Sequence, residues 1–147
     1  MKIAIAIEGL LCEAPFAKYT EEYYMKVKPF SDVRSAALTL TECSERPLFF
    51  TESPSNMLTV VRAWLKCAGF PEANYEDIVT NVIKRFDCRM HEVDVFIDAD
   101  RSALKTFIYD STRPVYVDRL ALGPVLNGLI TNYDYLDEAV NDIIKTT

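Results

Sequence analysis

The feature that most constrains the fold of this chain is a repeated alternation between short apolar runs and segments with helical periodicity. The apolar runs are rich in Ile, Val and Phe, and most are apolar throughout instead of alternating with polar residues. Strands that are buried on both faces of a parallel sheet have this composition. The predicted strands are 2–7, 47–50, 78–82, 93–97 and 114–117.

The segments between and after these runs predict helices. The clearest covers 57–68, where apolar residues recur at helical spacing. Ser53 is its predicted N-cap, Pro54 suits the first helical position, and Gly69 suits the C-terminal stop. Alternating strands and helices indicate an α/β fold with a mostly parallel sheet of about five strands. The other predicted helices are 33–40, capped by Ser31 or Asp32, then 102–109 and 136–144, with Asp134 near the start of the last.

Length and charge exclude several classes of protein. The 147 residues suit one domain, and half of them are apolar, which is enough for one sizeable core. The net charge of −6 argues against nonspecific nucleic-acid binding, which depends on Lys and Arg. No apolar run approaches the ~20 residues of a membrane span, and the N-terminal stretch is interpreted as structure and not as a signal peptide.

The cysteines and the single histidine argue against zinc and against several catalytic sites. The four cysteines form no CxxC pair, which indicates reduced thiols in a cytoplasmic protein. With His91 as the one histidine, a Ser-His-Asp triad is disfavoured. The chain also lacks the GxGxxG, GxxxxGK[ST] and GxSxG motifs.

Polar side chains instead stand where the predicted strands end. In a parallel sheet these ends meet at one edge, which is where open α/β sheets bind ligands. A hydroxyl, an ammonium and several carboxylates would therefore lie together, and such a set can hold a phosphate and Mg²⁺. The residues are Glu8 after the first strand, Thr51 and Ser53 after the second, Lys84 after the third, and Asp98 and Asp100 after the fourth.

The order of these motifs resembles the haloacid dehalogenase (HAD) superfamily, in its small members without a full cap domain. The family pattern hhhhDxDG[TV]L matches "KIAIAIEGLL", and its Thr/Ser motif matches Thr51 in "PLFFTESPSN". The family's lysine is best matched by Lys84, and its acidic motif by "VFIDAD", with Asp100 displaced by one position. The resemblance implies a Rossmann-like three-layer sandwich over residues 1–147, with Thr51 and Lys84 on a phosphate and Glu8, Asp98 and Asp100 around Mg²⁺.

One departure from the family matters more than the matches. The family's nucleophile position falls on Ala6, and the second acid falls on Glu8. By the family's mechanism the first Asp attacks phosphorus, and a methyl group cannot do this. Glu8 could still carry a proton, but its extra methylene displaces the carboxylate by about 1 Å, which can cost ~10²-fold in rate. The resemblance therefore implies a phosphatase scaffold without its reactive group.

Binding is then the expected role. A protein would bind through the segment 12–30, which follows the first strand and corresponds to the family's flap, whereas a phosphorylated ligand would be held without turnover by Thr51, Lys84 and a metal on Asp98. The aromatic residues of the segment are of a type enriched at protein interfaces, although they could equally close the top of the core. The expected ligand is a protein partner or a phosphorylated molecule, as in a regulatory or virus-encoded accessory protein. The candidate partner-binding residues are Phe16, Tyr19, Tyr23 and Tyr24.

Three alternatives stay open. The chain could be an active Mg²⁺-dependent phosphatase or nucleotidase in which Glu8, Asp98 or Asp100 activates water. It could be a homo-oligomeric interaction module. Finally, Ala6 could simply be a packed strand residue in an α/β domain of unrelated function.

Overall fold

The structure is a computed structural model that describes residues 1–43 and 45–146. Its centre is a six-stranded sheet in the order β3-β2-β1-β4-β5-β6, and every pair of neighbouring strands is parallel. The predicted α/β class with a parallel sheet is confirmed. The strands are β1 (Ile3–Ala6), β2 (Leu48–Phe50), β3 (Ile78–Val79), β4 (Val95–Asp98), β5 (Arg113–Val117) and β6 (Thr131–Tyr133).

In the described part of the chain, six α-helices connect or follow the strands. Right-handed crossovers that run in opposite directions along the sheet place their helices on opposite faces. The second helix packs against the last, and the first packs against the third. No helix of the described residues is long and apolar enough to cross a membrane. The helices are α1 (Glu21–Lys26), α2 (Val33–Thr41), α3 (Leu58–Ala68), α4 (Lys84–Met90), α5 (Arg101–Lys105) and α6 (Leu136–Lys145).

Both faces of the sheet are buried by aromatic contacts, as the uniformly apolar strands predicted. On one face Phe96 packs between Phe50 and Phe107, with ring centroids 5.4 Å from each. On the other face Phe49 meets Phe70 edge-on at 4.9 Å. Burial of such rings accounts for much of the hydrophobic stabilisation of a core. The sheet is therefore a rigid platform for the side chains at its carboxyl edge.

Three secondary-structure predictions need correction. The sheet has six strands and not about five, because the edge strand β6 is polar and only half-buried and so has no apolar run. Helices α1 and α4 were missed because both are short and bury one residue each, Tyr24 and Cys88. The helix predicted for 102–109 is shorter, since α5 spans Arg101–Lys105.

The ends of α3 were predicted with mixed success. Gly69 ends the helix with φ +124°, as predicted, and a Cβ there would lie 3.3 Å from the Cβ of Ala37. The prediction that Ser53 caps the helix is wrong. The chain enters α3 through a 3₁₀ turn, Ser55–Met57, which has no side-chain cap. The hydroxyl of Ser53 instead contacts that of Tyr24 inside the protein.

Candidate functional site

The candidate site lies at the carboxyl edge of the sheet, where the strand order reverses between β1 and β4. This switch point is where open α/β sheets form a crevice for ligands. A cavity of about 340 Å³ occupies it. Its lining residues are Glu8, Gly9, Glu13, Ala14, Tyr19, Phe30, Glu52, Lys84, Asp98, Ala99, Asp100, Arg119 and Leu120.

The last residue of β1, Ala6, carries only a methyl group at the position that the resemblance assigns to the nucleophile. Ala6 is 2% exposed and pairs in register with Phe50 of β2. On its other side the register Ile5↔Ile97 places Ala6 beside Asp98 of β4. Because side chains of aligned residues share a face of a parallel sheet, Ala6 stands directly between a phenyl ring and a carboxylate. A side chain at this position would reach the cavity only if it were longer than a methyl group.

Glu8 is held by three hydrogen bonds that turn its carboxylate toward β2. Its Oε2 accepts from the hydroxyls of Tyr24 (2.7 Å) and Thr51 (2.8 Å). Its Oε1 accepts from the backbone N–H of Glu52 (3.1 Å). Burial raises the pKa of Glu8, and these hydrogen bonds offset only part of the shift. The group is therefore fixed in place and favours its protonated form more than a surface glutamate does.

The two hydroxyl residues after β2 are interior groups. Thr51 and Ser53 are both 0% exposed. The oxygen of Thr51 accepts from the backbone N–H of Ser53 (3.1 Å) while its hydroxyl donates to Glu8. Thr51 is the predicted phosphate ligand, but its hydroxyl proton is already donated to Glu8 and is not available to a phosphate.

Lys84 lies among three carboxylates at the opposite wall of the cavity. Its Nζ is 2.8 Å from Oδ2 of Asp98, 3.3 Å from Oδ2 of Asp100 and 3.9 Å from Oε1 of Glu52. Burial alone would lower the pKa of Lys84, but the carboxylates raise it above its usual value. Burial raises the pKa of Asp98, and the ammonium opposes that shift. Lys84 is consequently a charged, internal counter-ion at the sheet edge.

The backbone around β4 fixes the two aspartates differently. Asp98, 1% exposed, accepts from the N–H of Ala99 at 2.7 Å through Oδ1, while no described group donates a well-aligned hydrogen bond to its Oδ2. Asp100 is the N-cap of α5 and accepts from the N–H of Ala103 (3.1 Å). The sequence brought both acids to the edge as predicted, but it did not show that Asp100 caps a helix.

The donors present at this edge do not fit a divalent cation. Ala6 offers no oxygen, Glu8 uses both oxygens on hydrogen bonds, and the space between the other carboxylates is taken by the Lys84 ammonium. Within residues 1–43 and 45–146 no cluster of three or more acidic, His or Cys side chains could hold a metal. Mg²⁺ needs several oxygens around one point, and the described residues at this edge do not supply them.

Segment 12–30 covers the cavity in two layers. Tyr24, one of the predicted partner-binding residues, is 4% exposed and belongs to the interior. Tyr19 and Tyr23 are half-buried; Tyr19 donates to Glu52, and Tyr23 donates to the carbonyl of Glu13. Phe16 is fully exposed. The segment therefore both closes the site from within and presents aromatic surface outside.

A second buried ion pair at the edge was missed from the sequence. Arg119 donates two hydrogen bonds to Asp32 (2.7 and 2.8 Å) and a third to the carbonyl of Leu10 (2.9 Å), while its guanidinium lies over the ring of Phe30. Asp32 also accepts from the N–H of Leu136 at the start of α6. The position of Arg119 just after an apolar strand was the available signal, but its partner lies 87 residues away.

Comparison with known proteins identifies the fold. No protein-family profile and no curated sequence matches the chain. Among solved structures it is similar to D,D-heptose 1,7-bisphosphate phosphatase from Burkholderia thailandensis, with TM-score 0.70, 14% identity and 97% of each chain covered. It is also similar to the enzyme of the same name from B. bronchiseptica, complexed with magnesium and phosphate, with TM-score 0.68, 14% identity and 99% of each chain covered. The likeness establishes the HAD-like fold that the motifs predicted.

Proposed function

We propose that this chain, which has the HAD-like fold, does not transfer phosphate and acts by binding another protein. The observation that carries the proposal is the methyl group of Ala6 at the tip of the central strand, where the resemblance requires a nucleophilic carboxylate. Covalent phosphotransfer starts with attack by that carboxylate on phosphorus. Neither neighbour supplies a substitute, since Glu8 is fixed toward β2 and Asp98 is paired with Lys84.

A protein is favoured over a phosphorylated small molecule by the charges around the cavity. The lining contains five carboxylates and two cations. Both cations are already paired, Lys84 with Asp98 and Arg119 with Asp32. A phosphate would enter an acidic cavity without a free cation among its lining residues, which Coulomb repulsion disfavours. The predicted phosphate role of Thr51 and Lys84 would require both to leave their present partners.

The outer layer of segment 12–30 supports a protein as ligand. Phe16 is fully exposed, and the neighbouring hollow of about 440 Å³ lies between it and Tyr23. An exposed aromatic beside a hollow is the kind of anchor that is enriched at interfaces. The four free cysteines suit a reducing compartment, so a regulatory role in the cytoplasm is part of the proposal.

A second candidate function has one specific observation in its favour. Glu8, Lys84 and Asp98 do line one cavity at the sheet edge, as they would in a phosphatase. In that function Glu8 or Asp98 activates water for attack on a phosphate ester. It requires the Lys84 cluster to open when substrate binds.

Hydrolysis of an aryl phosphate in millimolar Mg²⁺ separates the two functions. The proposal expects the same background rate for the wild-type protein and for Asp98→Ala. A wild-type turnover of about 1 s⁻¹ or faster, as in ordinary enzymes, that Asp98→Ala abolishes would overturn it in favour of the phosphatase. An Ala6→Asp variant that gains activity would show that only the nucleophile is missing from the scaffold.

A further inference from the structure

We propose that the loop formed by residues 118–130, between β5 and β6, is a preformed docking surface for a basic, apolar segment of another protein. The inference rests on the proposed protein-binding function and adds a second surface and the chemistry of the partner. The loop exposes four leucines to solvent, and one of them also lines the mouth of the candidate site. They are Leu120 (76% exposed), Leu122 (60%), Leu126 (39%) and Leu129 (64%).

The first half of the loop is held by a network of charged groups. Asp118 accepts from the N–H groups of Leu122 (2.9 Å) and Gly123 (2.8 Å). Arg101 donates to the carbonyls of Gly123 (2.7 Å) and Pro124 (3.3 Å). These bonds tie the loop to α5, so the leucines are displayed from a fixed backbone.

The second half is held by an asparagine and two buried side chains. Asn132 in β6 accepts from the N–H of Val125 (2.8 Å) and donates to the carbonyls of Val125 (3.1 Å) and Ile130 (2.8 Å). The side chains of Val125 and Ile130 are each 2% exposed. Exposed leucines on an ordered loop can bind a partner more tightly than leucines on a flexible loop, because a preorganised surface loses less entropy on binding.

Two non-glycine residues in the loop adopt left-handed backbone conformations. Ala121 has φ +54° and Leu126 has φ +39°. Such conformations are strained for a residue with a side chain and persist where the surrounding structure enforces them, often at binding sites. The fold therefore holds the loop in a conformation that exposes apolar side chains to water and strains the backbone at two positions.

Charge decides which partner the surface fits. The loop lies between two acidic hollows: the candidate site, which Leu120 lines, and a cavity of about 210 Å³ lined by Gly123 and Pro124. The lining of that second cavity holds Asp118, Asp134 and Glu138 and contains no Lys or Arg. A segment with leucine-like side chains flanked by Lys or Arg complements this arrangement.

The same charges argue against two other occupants. A second copy of the chain would bring another net charge of −6 against the acidic hollows. A membrane surface that carries anionic lipids would be repelled in the same way. A basic, apolar protein segment is the occupant that both groups would bind, the leucines through apolar contact and the acids through opposite charge.

Fluorescence anisotropy with a labelled synthetic peptide of Leu and Lys tests the proposal. The test variant is Leu120→Ser/Leu122→Ser/Leu129→Ser, and the matched control is Leu38→Ser, which removes a leucine that is 66% exposed on α2. Exposed substitutions of this kind change stability little, which melting curves of both variants check. We expect the triple variant to bind at least about tenfold more weakly than wild type, while the control binds equally well.

Two comparison peptides identify the chemistry. A Lys/Ser peptide, which lacks apolar side chains, and a Leu/Glu peptide, which reverses the charge, should both bind at least about tenfold more weakly than the Leu/Lys peptide. The proposal is overturned if the triple variant binds the Leu/Lys peptide as wild type does, or if the Leu/Glu peptide binds equally well. It is also overturned if light scattering shows a wild-type dimer that the triple variant loses. None of these outcomes bears on the hydrolysis assay, so the loop and the absence of phosphotransfer fail independently.

Discussion

The ammonium of Lys84 lies 2.8 Å from Oδ2 of Asp98, and both side chains are largely withdrawn from water, at 13% and 1% exposure. The pair joins the first residue of α4 to the last residue of β4. Asp100 and Glu52 complete a ring of three carboxylates around one cation. A single positive charge therefore holds together the acidic wall of the candidate site, and its removal has consequences for stability and for metal binding.

Replacing Lys84 with Met is expected to destabilise the fold by about 3–5 kcal/mol, because it leaves the buried Asp98 carboxylate without its counter-ion. The double variant Lys84→Met/Asp98→Leu should recover most of this loss, since neither charge is then buried alone. Lys26→Met is the control, because Lys26 is 75% exposed in its pair with Glu22 and should cost less than about 1 kcal/mol. Urea unfolding measures all three, and an equal effect of the two single variants would contradict the prediction.

Magnesium should distinguish the wild-type chain from the Lys84→Met variant. In the wild type the ammonium fills the space between the carboxylates, so millimolar Mg²⁺ should leave the melting temperature where it was. In the variant the ammonium no longer separates Glu52, Asp98 and Asp100, so the three carboxylates can draw closer together around a cation. Mg²⁺ at ten times its dissociation constant would then stabilise the fold by about 1.4 kcal/mol. Thermal melts with Mg²⁺, and with NaCl at equal ionic strength, measure this. A wild-type melting temperature that rises with Mg²⁺ and falls again with chelator would contradict it.

Removing the hydroxyl of Tyr24 should weaken the buried network around Glu8. The Tyr24→Phe variant loses the 2.7 Å hydrogen bond to Glu8 and the contact with Ser53, while the ring still fills its place. The expected cost is about 1–3 kcal/mol, since buried polar partners are left without a hydrogen bond. Tyr109→Phe, at a side chain that is 92% exposed, should change nothing measurable by urea unfolding. Equal stability of Tyr24→Phe and wild type would mean that the network contributes no stability.

The pH dependence of stability should carry a signature of Glu8. Its pKa is raised in the folded protein by burial, so the folded state keeps a proton that the unfolded chain has already released. Stability from this group is complete below the unfolded pKa, near 4.5, and is lost as pH rises through the raised folded pKa. In Glu8→Gln the amide nitrogen can donate to the oxygens of Tyr24 and Thr51, and no proton is lost.

The melting temperature of Glu8→Gln should therefore exceed that of wild type above this window and match it at lower pH. Melting curves of both proteins across a pH series measure the difference. A constant gap at every pH would show that the substitution acts through packing and not through the charge of Glu8.

The sequence predicted the central strands well because their signal is local. Runs such as 93–97 are apolar at every position, which only a strand covered on both faces needs. The edge strand β6 has no apolar run, and the short helix α4 buries only one residue. β6 contains Asn132, whose side chain forms hydrogen bonds to the backbone of the 118–130 loop. α4 exposes the apolar side chains of Phe86 and Met90 to solvent.

Part of the predicted cluster lines one cavity, whereas the contacts within the cluster were not predicted. Glu8, Lys84 and Asp98 line one cavity because parallel strands end at one edge. The sequence could not show that Thr51 would donate to Glu8 or that Tyr24 would be interior. The position of Tyr24 depends on how segment 12–30 folds back over the edge, and that segment has no periodic pattern.

By itself the sequence determined the five apolar strands, the three longest helices and the presence of a methyl group at the tip of β1. All of these follow from the identity and spacing of neighbouring residues. Only the tertiary structure decided which polar groups pair, because the partners are far apart in the chain: 43 residues for Glu8 and Thr51, and 87 for Asp32 and Arg119. A buried charge is stabilised by whichever opposite charge the fold brings within hydrogen-bonding distance, and that distance is a property of packing and not of local sequence.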